Sequence, residues 1–190
     1  MKKGVIGLQY RIETYGASVL REKAKPVERV DDDVRRLVSD MLETMYAGNG
    51  LGLAAEQVGR TEAICVIDDS PSRDPEDPDK TGSDPQVDMP LVMINPVIEE
   101  MAGEHTAEEG CLSFPDIFVP VPRAWEVIVR YRTPDDMEQT IRAHGLLSRA
   151  IQHEVDHLNG VLLVDQMSQI QKIAIAGKLK RLKKASRERG

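Results

Sequence analysis

The apolar residues Val34, Leu37, Val38, Met41, Leu42 and Met45 follow an acidic run, Asp31-Asp32-Asp33. Steps of three and four put them on one face of a helix, and carboxylates at its start suit the positive end of the helix dipole. A helix over 32–47 is predicted. The pattern stops at Gly48-Asn49-Gly50-Leu51-Gly52, where three glycines in five residues imply an irregular backbone. Ala63–Ile67 is short, apolar and strand-like, as is Leu91–Ile98. Glu126–Arg132 alternates, with Val127, Val129 and Tyr131 pointing one way. Helical spacing returns from Leu146 to Leu158 and closes on Asn159-Gly160. Val161–Val164 reads as an aliphatic strand, and 168–187 as a last helix. Residues 70–90, rich in Pro, Asp and Ser without periodicity, predict an exposed, mobile loop. Strands in the middle with helices spread unevenly around them give an α+β class and not a doubly wound sheet.

Length and charge narrow the picture. A chain of 190 residues, 41% hydrophobic and 30% charged, fits one soluble globular domain over 1–190. No run approaches the ~18 apolar residues of a membrane span. The apolar stretch within Met1–Gly7 ends too early for a secretory signal, which points to a cytoplasmic location. A net charge of −7 argues against a general nucleic-acid binder. The charge is uneven: 68–88 is strongly acidic, and the last helix carries Lys178, Lys180, Arg181, Lys183, Lys184 and Arg187. Such an end could touch an anionic surface, and ribosomal RNA near the exit of nascent chains is one expectation, with a plain solvated helix as the other.

The chemistry gathers in "QHEVDHLNG", residues 152–160. Positions i and i+4 share a helix face, so His153 and His157 can aim their imidazoles at one point. Glu154, turned by about 100°, lies beside that point and suits a general base better than a ligand. A catalytic metal usually takes three protein ligands and keeps one position open. Downstream, Asp165 is the first candidate for the third; upstream, Cys111 in "EEGCLSFP" would complete a Cys-His-His set. Cys65, inside an apolar strand, reads as a buried small hydrophobe. A thiol nucleophile with a histidine base would not need paired histidines.

With "GLGLAAEQVG" (50–59), "EGCLS" (109–113) and "QHEVDHLNG" (152–160) in that order, the chain resembles peptide deformylase. The resemblance implies a fold in which antiparallel or mixed sheets pack around a central metal-binding helix, with an N-terminal and a C-terminal helix. It implies one divalent metal on Cys111, His153 and His157, with water fourth. It further implies removal of the formyl group from the N-terminal formyl-methionine of new peptides. Glu154 would move the proton, while the Gln57 side-chain amide and the Leu112 backbone N–H would stabilise the oxyanion. The family typically uses ferrous iron, with zinc, nickel or cobalt able to occupy the site.

Gly50 and Gly52, lacking side chains, would let their backbone lie against an extended peptide. Leu51, Phe114, Leu146 and Ala150 are candidates for the methionine pocket. Glu109 and Arg123 are expected to pair behind the site, with Asp156 anchoring the helix through another partner. The chain departs from the family where an Asp-Pro is common and Tyr15-Gly16-Ala17-Ser18 stands instead. Two rivals follow from the same residues. A zinc endopeptidase would use a downstream carboxylate ligand; a binding module with a structural metal would have four protein ligands and no open position.

Overall fold

A computed structural model of the chain describes residues 9–70 and 87–188. The readings for Met1–Gly7 and for most of the 70–90 loop lie outside the described residues. The first long element is helix α1, Asp32–Ala47, where Asp31 accepts from the backbone N–H groups of Asp33 and Val34 at 3.1 and 3.0 Å. Such a cap satisfies donors that the helix itself cannot.

Seven strands follow: β1 (Gly52–Ala54), β2 (Ile64–Ile67), β3 (Leu91–Ala102), β4 (His105–Gly110), β5 (Phe118–Arg123), β6 (Glu126–Arg132) and β7 (Glu138–His144). Every pairing among them is antiparallel. Five strands form one sheet in the order β1-β2-β3-β6-β7, and β4 with β5 makes a separate hairpin. Helix α2 (Gly145–Leu158) leaves β7 directly and returns across the sheet; α3 (Gln169–Ala174) and α4 (Ala176–Arg187) close the chain.

Strand β2 explains the layering. Side chains alternate faces along a strand. Cys65 and Ile67 pack with Leu147, Ala150, Ile151 and Leu158 of α2, whereas Ile64 and Val66 pack with Leu37, Val38, Met41 and Met45 of α1. A strand covered on both faces reads as a continuous apolar run, as this one does. A third cluster joins Phe114, Ile117, Val119 and Val121 to Leu162–Val164 and to Leu179 and Leu182 of α4.

Several expectations are corrected. The glycine segment is irregular only up to Leu51, because Gly52–Ala54 pairs with β2. Val161–Val164 is not a strand: the Asp165 carboxylate accepts the Leu162 N–H at 2.8 Å and pairs with Arg21, closing a short 3-10 turn over Leu163–Asp165. The single helix expected over 168–187 is broken at Ile175. Ile175, Leu179 and Leu182 face the core, but Ile170 and Ile173 are 80% and 75% exposed, so one straight helix would not follow the apolar face.

Candidate metal centre

The β5–β6 turn sets the orientation of α2. Gln152 donates to the Ala124 carbonyl at 2.9 Å and accepts the Ala124 N–H at 3.0 Å, while Ser148 Oγ donates to the same carbonyl at 3.0 Å. With its rotation fixed this way, α2 turns His153, Glu154 and His157 inward, where all three are buried. Cys111 follows the end of β4, in a turn closed by Phe114 N–H donating to the Cys111 carbonyl at 2.8 Å.

Donor atoms of Cys111, His153 and His157 all lie within 4.8 Å of one another, the one such group among the described residues. Cys111 Sγ is 3.2 Å from His157 Nε2. A tetrahedral Cys/His site with bonds of ~2.0–2.3 Å brings its donors to about 3.5 Å apart, so this set fits a single cation. Burial and the neighbouring His153 hold His157 well below the usual imidazole range, favouring the neutral, ligating form. Asp165, the downstream alternative, is tied to Arg21 and stands outside the group. Both cysteines are free thiols, and Cys65 is fully buried in β2 as expected.

Behind the donors is a charged web. Glu109 receives Arg123 at 2.9 and 3.0 Å and Arg149 at 2.7 Å, and lies 3.0 Å from His153 Nδ1. Burial would raise its carboxyl, but hydrogen bonds from His153 and Arg123 outweigh that and hold it at about 2. Arg123 also reaches Asp156 at 2.6 Å, so the expected Glu109–Arg123 pair and the Asp156 anchor share one guanidinium. Gln166 donates to the same Asp156 oxygen at 2.8 Å. A fixed Nδ1 orients the ring and leaves Nε2 for the cluster with the Cys111 sulfur.

Arg149 was not picked out by sequence reasoning. It joins α2 to the hairpin through the Val121 and His105 carbonyls at 2.9 and 2.7 Å. Its place four residues before His153, on the same helix face as Gln152 and Asp156, was the available signal. Ser113, fully buried beside Gln57, had none.

Gln57 sits in the short turn after β1. Its Oε1 accepts the Ala54 N–H at 2.9 Å, which aims Nε2 at Cys111 Sγ (3.4 Å) and Ser113 Oγ (3.2 Å). Glu154 Oε2 has no hydrogen-bond partner among the described residues, and burial pushes this carboxyl up to about 7. Its other side lies against Gly52: a Cβ there would come within 2.9 Å of Glu154 Cδ. The glycine therefore makes room for the carboxylate.

These groups open on a cavity of about 500 Å³. Gly50, Leu51, Gly52, Phe114, Leu146 and Ala150 all line it, together with Gln57, Leu112 and Glu154. The structure thus brings every residue singled out for metal, proton transfer and pocket to one place; Glu109 also borders the cavity, while Arg123 and Asp156 stand behind it.

The family model for polypeptide deformylase matches residues 9–173. The peptide deformylase of Picosynechococcus sp. is 45% identical over 87% of this chain and 81% of its own length. That of Rhizobium meliloti is 42% identical over 90% and 91%. Among solved structures, the peptide deformylase of Synechococcus elongatus in complex with actinonin superposes with a TM-score of 0.77 at 41% identity, covering 89% of this chain and 87% of that one. The Thermus thermophilus peptide deformylase gives 0.81 at 33% identity, with 94% and 99% covered.

Proposed function

The chain belongs to the polypeptide deformylase family and is a deformylase enzyme, and from that premise we propose that it hydrolyses the N-formyl amide of formyl-methionine at the start of newly made peptides, releasing formate. The observation that carries this reading is the meeting of Cys111, His153 and His157 beside a buried Glu154 whose Oε2 is free to take a proton.

Cys111, His153 and His157 would hold one divalent cation, ferrous iron being the proposal, with zinc, nickel or cobalt able to replace it. Such a cation polarises a carbonyl and lowers the pKa of water to about 7. Glu154 Oε2 takes the proton of the attacking water and passes it to the departing amine nitrogen. Burial keeps this carboxyl's affinity for a proton near neutrality, which suits both halves of the transfer. The Gln57 amide, pre-aimed by the Ala54 N–H, and the Leu112 backbone N–H donate to the developing oxyanion. One such donor is commonly worth ~3 kcal/mol of transition-state stabilisation. Glu109, held by Arg123 and Arg149, fixes the His153 ring.

The methionine side chain enters between Leu51, Phe114, Leu146 and Ala150, and the peptide runs out in extended form along 50–52 and Gly110. Residues 1–190 act as one catalytic unit. No helix among the described residues is long and apolar enough to cross a membrane; the proposed setting is the cytoplasm. Docking on the ribosome through α4 is part of the same proposal, and loss of co-sedimentation on deleting 178–190 tests it.

The experiment for the activity is formate release from formyl-Met-Ala-Ser by anaerobically purified, metal-loaded protein. Wild type should release formate. Glu154→Ala should lose at least a hundredfold in kcat while keeping its metal. Metal-loaded wild type that yields no formate would overturn the proposal.

A further inference from the structure

The side of α2 turned away from the metal centre borders a second cavity, of about 380 Å³, that the hydrolytic chemistry does not use. Gln152, Val155, Asp156 and Asn159 line it at helical spacing, and Ile98 and Met101 of β3 also line it. Its size is that of a small-ligand site.

The opening is made by β3. Its pairing with β6 slips between Ile94 and Val97 and again between Ile98 and Glu100. In an unbroken strand, residues three apart point to opposite faces. The second slip instead brings both Ile98 and Met101 opposite Val129 and Val127, on the face that α2 covers. Ile98 and Val155 are partly buried against the core beneath, whereas Met101 is left 61% exposed. A flexible thioether beside an apolar floor is surface that a ligand would cover.

The polar edge of this cavity offers acceptors. Arg123 and Gln166 both donate to Asp156 Oδ2, at 2.6 and 2.8 Å, so its Oδ1 has no partner among the described residues. Asn159 donates from Nδ2 to the Val155 carbonyl at 2.9 Å, and its Oδ1 likewise has none among them. Gln152 is fully engaged with Ala124 and Ser148. Arg123 is buried, and its bonds go to Glu109 and Asp156. Beside Met101, Glu100 is exposed on the other face, and Glu99 is paired with Arg130. Two acceptors, one of them a carboxylate oxygen, therefore stand next to the apolar Val155. Such an edge receives an ammonium whose own carbon also bears an apolar side chain.

We propose that this cavity is a second binding site, for the free N-terminal methionine of a deformylated peptide. This rests on the deformylase reading above. Hydrolysis turns a neutral formamide into an amine that is largely protonated at pH 7. The new ammonium donates to Asp156 Oδ1 and Asn159 Oδ1, while the thioether chain lies between Ile98, Val155 and Met101. The formylated substrate lacks the charge and is passed over. The site thus holds the processed chain without filling the catalytic cavity.

The test titrates Met-Ala amide, acetyl-Met-Ala amide and acetyl-Lys-Ala amide into zinc-loaded, isotope-labelled protein at pH 7 and follows backbone amide shifts. Met-Ala amide should move the amides of 97–101 and 152–159, with a Kd on the order of 1 mM. The acetylated methionine peptide should bind at least tenfold more weakly, because it brings no cation to the two acceptors. The lysine peptide, whose charge ends its stem instead of standing beside the side chain, should do no better. Asn159→Lys places a tethered ammonium at the same acceptors and should abolish the shifts, and Met101→Ser should weaken binding about threefold. Both variants should release formate from formyl-Met-Ala-Ser as wild type does. Shifts confined to the catalytic cavity around 50–52 and 110–118, binding unchanged in Asn159→Lys, or equal binding of either acetylated peptide overturns the site. Absence of formate from wild type would instead overturn the deformylase reading, which the amide shifts do not measure.

Discussion

Replacing Glu56 by Gln should stabilise the protein, and increasingly so as pH rises. Glu56 follows β1, is fully buried, and neither carboxyl oxygen has a hydrogen-bond partner in another described residue. Burial pushes its pKa from 4.5 up to about 8, with Glu154, Glu62 and Glu22 adding to the rise. The fully buried Cys65 thiol, itself raised, feels the same charge. A carboxyl raised in the folded state is neutral there while its unfolded counterpart ionises. Its stabilising contribution is complete below about 4.5 and is lost as pH climbs toward about 8. Each pH unit in that window is worth about 1.4 kcal/mol, so the full loss is at most ~5 kcal/mol. Relaxation around a buried charge lowers this, and about 2–4 kcal/mol is expected between pH 5 and pH 8.5. Gln keeps the shape and removes the titration. Urea unfolding of metal-loaded wild type and Glu56→Gln at both pH values measures the change. A stability difference that stays constant within ~0.5 kcal/mol across the range would refute the argument.

Two further outcomes are expected. Gly52→Ala drives a methyl group into the Glu154 carboxylate, so kcat should fall at least tenfold with metal content unchanged; wild-type kcat would show that the carboxylate can move aside freely. Glu109→Gln takes the carboxylate partner from buried Arg149, leaves Arg123 with Asp156 alone and loosens His153, so metal affinity should drop ten- to a hundredfold in a chelator competition. Equal retention of the cation would count against a role for this web in the site.

Strong periodicity made α1, β6 and α2 legible, with β6 matching residue for residue and α2 within one position. The hairpin was not. Pro120 and Pro122 interrupt β5, and β4 is polar at Thr106 and Glu108, because these strands have one covered face and few neighbours. β7 was hidden by Gln139, Thr140 and Arg142 on the edge of the sheet. Helix spacing alone aligned His153 with His157. No local pattern could bring Cys111 to them, since that proximity is made by the hairpin turning back on α2; three motifs in order supplied what spacing lacked. Arg149 escaped because it shares its helix face with Gln152, His153 and Asp156, and a buried cation among polar positions cannot be told from a surface one until its partners are in place.

The clamp of Ser148 and Gln152 on the Ala124 peptide group makes one short bend between two strands the pivot of the whole catalytic helix. Both imidazoles ride on that helix, so a twist at the bend would swing them together, away from a sulfur that belongs to a different segment. Holding the three donors in register is therefore a task shared with a turn that touches neither metal nor peptide, and the Ala124 amide proton should be among the slowest in the protein to exchange with solvent.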